Sequence, residues 1–166
     1  MRSHLARCLI AVGLFLTSSA SSADAQSAAT SRPPVTWWGQ VALGAGGAAD
    51  SGFYAGAISA AVQVRHILLM GRIASLGTED RTRMEEVGIL AGVATRPAVF
   101  HAGVAAGLGI ATADEDSSAI ALPIEAQLSW RPIPWAGLGA RVFANVSRLG
   151  NFGGITVALQ VGRLRP

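Results

Sequence analysis

His66, His101, the acidic run Asp114-Glu115-Asp116 and two glycine-rich stretches are the features of this 166-residue chain that invite a chemical reading. A nucleophilic triad needs Ser, His and a carboxylate within hydrogen-bond reach of one another, on a turn that exposes the nucleophile. No G-x-S-x-G turn occurs in the chain. Neither histidine has a companion at metal-ligand spacing, so no metal centre is expected. Three neighbouring carboxylates could hold Ca²⁺, but in a surface loop they are ordinarily solvated. Gly44-Ala45-Gly46-Gly47 and Gly103-Val104-Ala105-Ala106-Gly107-Leu108-Gly109 lack both the Lys-Ser/Thr ending of a phosphate loop and a strand-to-helix setting. Glycines that let a strand bend are the better account of them. No catalytic residue and no cofactor follow.

The elements that would position such groups are written in the composition. Apolar residues make up 51% and charged residues 14%, with 20 glycines and 6% aromatics. Low charge with high apolar content excludes a disordered chain, and an ordinary soluble helical domain carries about 25% charge. The residues Met1-Arg2-Ser3-His4-Leu5-Ala6-Arg7, an apolar run from Cys8 to Leu16 and the box Ala23-Asp24-Ala25 read as a secretory signal peptide over 1–25. An apolar run of this length is too short for a membrane anchor, which needs about 20 residues. The single cysteine leaves with the signal, so the exported chain holds no disulfide or thiolate site. Losing Arg2, Arg7 and Asp24 lowers the formal charge from +3 to +2. No basic stripe interleaved with aromatics remains, which excludes nucleic-acid binding.

After an irregular lead-in over 26–35, about ten residues of alternation are followed by a turn cluster, and the rhythm repeats to residue 165. The spacing predicts eight strands near 36–46, 53–64, 67–76, 85–94, 99–111, 119–130, 135–146 and 152–164. In the sixth, Ile120, Leu122, Ile124, Leu128 and Trp130 alternate with Pro123, Glu125, Gln127 and Ser129. In the last, Ile155, Val157, Leu159 and Val161 alternate with Gly154, Thr156, Ala158 and Gln160. One face is bulky and apolar, and the other is small or sparsely polar. A solvated face carries many charges, whereas the narrow lumen of a small barrel takes small residues and a few charges that pair. The apolar face is therefore expected outside, on a closed transmembrane barrel with every backbone group bonded.

Trp37, Phe100, Trp130 and Trp135 fall toward one end of such a barrel and Tyr54 toward the other, the expected interfacial girdle. The region 99–165 resembles small bacterial outer-membrane β-barrels of the eight-stranded OmpA and OmpX class. The likeness is carried by Ala121-Leu122-Pro123-Ile124-Glu125-Ala126-Gln127-Leu128-Ser129-Trp130-Arg131-Pro132, by Gly137-Leu138-Gly139 and by Gly153-Gly154-Ile155-Thr156-Val157-Ala158-Leu159-Gln160-Val161-Gly162. The resemblance implies an all-β, up-and-down antiparallel barrel in the outer membrane, in contact with its lipid and inserted by the barrel-assembly machinery. It departs from the class at Leu164-Arg165-Pro166, where such barrels commonly carry a terminal aromatic residue. Some barrels of the class modify lipid A with a histidine, a serine and a carboxylate. Here both histidines fall at the periplasmic end, away from the outer leaflet.

Arg72, Glu125 and Arg141 are singled out because they are charges of both signs placed mid-strand on the small-residue face. Together they are expected to fill the lumen as a structural plug. The function expected is non-enzymatic: envelope integrity, or surface contact through the loops at 45–52, 77–85, 112–118 and 147–152. Two alternatives make different demands. A soluble exported barrel binding a small apolar ligand requires the bulky side chains inside. A lipid-modifying barrel requires a triad.

Overall fold

The computed structural model describes residues 35–48, 51–77, 83–113 and 117–165. The expected signal peptide, most of the lead-in, Glu79-Asp80 and Asp114-Glu115-Asp116 lie outside these residues. Eight strands follow one another: β1 (Val35–Ala48), β2 (Ser51–Val64), β3 (Ile67–Gly77), β4 (Arg83–Ala94), β5 (Phe100–Ala113), β6 (Ser117–Ile133), β7 (Ala136–Ser147) and β8 (Phe152–Arg163). Each pairs antiparallel with the next, and β8 returns to pair with β1, closing the barrel. The closing seam sets Gln40 against Gln160 and Ala42 against Ala158. Among the described residues no strand edge is left unpaired, which is what a bilayer without hydrogen-bonding solvent demands. Strands of 11 to 17 residues meet or exceed the 9–11 needed to cross.

Side-chain parity settles which face looks out. Leu43, Ile89, Leu108, Ile120 and Val157 are exposed, while the alternate positions Ala42, Leu90, Ala111, Ala121 and Ala158 are buried in the lumen. The wall is thus apolar outward, the reverse of what a soluble barrel around an apolar ligand requires. Trp37, Phe100, Trp130 and Trp135 point outward near the end where β1 begins and β8 finishes, here the terminal end. Tyr54 points outward at the opposite rim, the loop end, where it pairs with Gly77.

Two local features depart from the spacing. β6 runs on to Ile133 instead of stopping at 130, so Arg131-Pro132 is strand and the turn falls at Pro134-Trp135. A register shift between Trp130 and Ile133 absorbs the proline, which has no N–H to donate. Pro123 interrupts the ladder at mid-strand without shifting its register. The β5–β6 pairing passes from Ala106↔Ile124 to Gly109↔Ala121 without partners between. Glycine is forced at Gly107, where a Cβ would collide with the Ile89 carbonyl and Leu90 backbone of the neighbouring strand.

Candidate functional site

The lumen is filled in layers. At mid-height β3, β4, β6 and β7 send four charged side chains inward, each at least 98% buried: Arg72, Glu86, Glu125 and Arg141. The Arg72 Nε donates to Glu86 Oε2 at 3.0 Å, and its Nη2 bonds the same oxygen at shorter range. Across the lumen Arg72 Nη1 donates to Glu125 Oε2 at 3.2 Å. Arg141 grips the same Glu125 as a fork, Nε to Oε1 at 2.8 Å and Nη2 to Oε2. Two guanidinium groups and two carboxylates balance in charge, and bidentate geometry of this kind makes strong charge-assisted bonds. Glu125 is the hub, because it ties the β3–β4 hairpin to the β6–β7 hairpin through the interior.

Local sequence explains the fit. Gly88 is the neighbour of Arg72 across the β3–β4 ladder, and a Cβ on Gly109 would stand 3.0 Å from Glu86 Oε1. Lumen-facing alanines on β1, β2, β3 and β8 (Ala42, Ala57, Ala74, Ala158) form one small-residue cluster within the same lumen. Small residues there leave the width of the lumen to the long side chains.

Apolar and polar layers close the site from both sides. Toward the loop end Leu76, Met84, Phe143 and Phe152 pack together. The two phenyl rings meet edge to face with centroids 6.4 Å apart, and Arg72 Cζ lies 5.5 Å from the Phe143 centroid. Toward the terminal end runs a ladder of amides. Gln40 Nε2 donates to Ser59 Oγ at 2.9 Å, Gln160 Nε2 to Gln40 Oε1 at 2.9 Å, and Arg131 Nε to Gln160 Oε1 at 3.1 Å. The Arg131 guanidinium stacks over Trp38 at 4.4 Å from the ring centroid. Trp38 in turn packs with Leu68, Met70, Leu90 and Leu164.

The structure brings Arg72, Glu125 and Arg141 together and adds Glu86, which sequence reasoning passed over. Glu86 follows Glu85 beside a turn cluster and reads as a loop boundary, yet its parity with Met84, Gly88 and Leu90 marks it as inward. Arg131 was missed because Arg131-Pro132 reads as a turn, although it shares parity with Glu125, Gln127 and Ser129. It is fully buried. Trp38, the buried neighbour of the girdle residue Trp37, was also overlooked.

His101 is buried near the terminal end, its Nε2 2.8 Å from Gln63 Oε1 and its ring edge-on to Trp38. The hydroxyl of Ser129 donates to the backbone carbonyl of His101 at 3.4 Å, not to its ring. Among the described residues no carboxylate contacts that ring. His66 sits exposed in its turn with Nδ1 3.0 Å from the Ala94 carbonyl.

A closed eight-stranded up-and-down barrel, apolar outside and filled inside, is a transmembrane β-barrel of the outer-membrane class. Solved structures of that class match it. The chain is similar to Neisserial surface protein A (NspA), with a TM-score of 0.54 and 14% identity over 76% of this chain and 96% of that one. It is also similar to Ail, the attachment invasion locus protein of Yersinia pestis, with a TM-score of 0.50 and 13% identity over 77% and 97% of the two chains. The structure of Ail in a phospholipid bilayer nanodisc gives a TM-score of 0.51 at 14% identity over 75% and 98%. At these identities the likeness is one of fold. No protein-family model and no curated protein matches the chain.

Proposed function

We propose that this chain is a non-enzymatic outer-membrane scaffold with a plugged lumen, serving envelope integrity or contact at the cell surface. The carrying observation is the layered interior: among the described residues the four-charge cluster, at least 98% buried, lies between an apolar cluster and an amide ladder, so long side chains occupy the axis. Eight strands give an interior wide enough for side chains and little else. The chain enters the membrane with the help of the barrel-insertion machinery, and its terminal end faces the periplasm. The test is fractionation with boiled and unboiled gel samples, followed by conductance in planar bilayers. A heat-shifted band in the outer-membrane fraction without discrete conductance steps supports the reading. Reproducible single-channel steps would refute the plug.

The surface connections give the scaffold its chemistry. Asp50, Glu79, Asp80, Asp114, Glu115 and Asp116 fall between strands at the loop end, against Arg81 and Arg148. Ail has been crystallised with the heparin analogue sucrose octasulfate, but connecting sequences of net negative charge disfavour sulfated sugars. Immobilised heparin should retain no more of this protein than uncharged resin does at 0.15 M salt, about physiological ionic strength. Retention that salt then releases would contradict the charge argument.

A further inference from the structure

The outer wall carries a trough of about 890 Å³ across β4 to β7, near the terminal end. It is a shallow depression open to the surrounding lipid, not an enclosed cavity. The cause is a checkerboard of large and small outward residues. Across the ladder Val104 pairs with Ala126 and Ala126 with Val142, while Ala102 pairs with Leu128 and Leu128 with Ala140. Each alanine leaves a depression beside a valine or leucine.

The trough is bordered by Thr95 and Arg96 of the β4–β5 turn and by His66 of the β2–β3 turn. These residues belong to a rim held by its own hydrogen bonds. Ala94 N donates to the His66 carbonyl at 2.9 Å, Thr95 N to the Ala102 carbonyl at 2.8 Å, and Ala102 N to Thr95 Oγ1 at 3.0 Å. Arg96 is exposed and, among the described residues, has no ion-pair partner. The described carboxylates, Glu85, Glu86 and Glu125, all lie at mid-height or toward the loop end. Apolar walls on a lipid-facing surface, closed at the membrane interface by an unpaired cation, suit one kind of occupant.

We propose that this trough binds an anionic glycerophospholipid, an acyl chain lying between Val104, Leu128 and Val142 and the headgroup phosphate beside Arg96. Zwitterionic lipids meet the same walls but lack the net negative charge the rim selects. The proposal rests on the transmembrane reading of the barrel, and adds to it a lipid held at one place instead of a uniform annulus.

The test reconstitutes the full chain in vesicles of equal parts phosphatidylglycerol and phosphatidylcholine, then counts lipids retained on gentle detergent extraction by native mass spectrometry. Wild type should retain phosphatidylglycerol preferentially as its first adduct. Arg96→Gln should lower that preference about fivefold, the effect of one basic side chain at an anionic surface. Ala140→Phe, which fills the trough from outside and leaves the lumen untouched, should abolish the adduct. Arg163→Gln, an exposed terminal-end cation on β8 across the barrel, should leave the preference unchanged. Equal losses from Arg163→Gln and Arg96→Gln would mean diffuse rim charge, and an adduct that survives Ala140→Phe would mean no groove site. Either overturns the proposal. Unboiled gel samples check insertion of each variant, so a chain that fails to insert counts against the barrel reading and is recognised as such.

Discussion

Removing the Glu125 carboxylate is the sharpest perturbation of the interior. In wild type it accepts a fork from Arg141 and a third bond from Arg72, all at buried positions. Glu125→Ala leaves two buried guanidinium groups facing one carboxylate, Glu86, which Arg72 already engages. Breaking a buried pair by deleting one partner costs about 3–5 kcal/mol, because the remaining charge stays desolvated without compensation. An exposed ion pair would be worth about 0–1 kcal/mol. The two accounts of the cluster therefore differ by more than a unit of measurement error. Reversible urea unfolding of the folded chain in lipid vesicles, followed by tryptophan fluorescence, reads the difference. The double variant Glu125→Ala/Arg141→Ala restores charge balance, so it should be destabilised by at least about 1 kcal/mol less than the sum of the single variants, the coupling expected of residues in contact. A Glu125→Ala variant within about 0.5 kcal/mol of wild type, the usual scale of neutral surface changes, would show that the cluster does not hold the barrel together.

Three other perturbations probe the wall and its turns. Val157→Arg places a cation on the outward face of β8 and should destabilise the inserted barrel by about 2–4 kcal/mol in the same unfolding assay. An effect near zero would mean that face does not meet lipid. Gly107→Val drives a branched side chain into the backbone of β4, and overpacking of this kind costs about 1–3 kcal/mol or more. It should reduce the heat-shifted fraction on gels, and full yield would disprove the close approach. Arg65 holds φ at +56° in the β2–β3 turn, a left-handed conformation that costs a side-chain-bearing residue about 1–2 kcal/mol. Arg65→Gly should raise stability by up to about 1 kcal/mol, less than the full strain because glycine also loses more entropy on folding. Destabilisation instead would point to a role for the Arg65 side chain.

The strands were legible because period-two alternation is a property of the chain itself. Ile120, Leu122 and Ile124 mark the lipid face of β6 whatever their neighbours in space, and Leu138, Val142 and Val146 do the same for β7. Turn chemistry was a weaker guide. Arg131-Pro132 has the composition of a break, and only the partner strand, with its register shift, shows that the chain continues through it. Pairing across the lumen lies beyond any local pattern. Arg72 and Glu125 are 53 residues apart, and their meeting depends on which strands face one another once the sheet has closed. Glu86 illustrates the limit. Its parity was readable, but its partnership with Arg72 required the β3–β4 register, which sets Arg72 against Gly88 and so leaves Glu86 two residues further along the neighbouring strand.

That register also gives the charges a purpose beyond filling space. A buried ion cluster is weak evidence for stability, since apolar residues of the same volume often serve as well. In a membrane barrel the argument changes, because the alternative to the lumen is hydrocarbon. A slip of one residue turns every side chain of a strand to the other face. For β3 or β7 it would carry Arg72 or Arg141 into lipid, at about 2–4 kcal/mol for each arginine near the midplane. The same slip would turn Leu69 or Val142 inward, into space occupied by the packed lumen. An all-alanine lumen would penalise the slipped strand only through its apolar face, and small side chains would discriminate poorly between registers. The cluster thus excludes wrong pairings more strongly than it favours the right one.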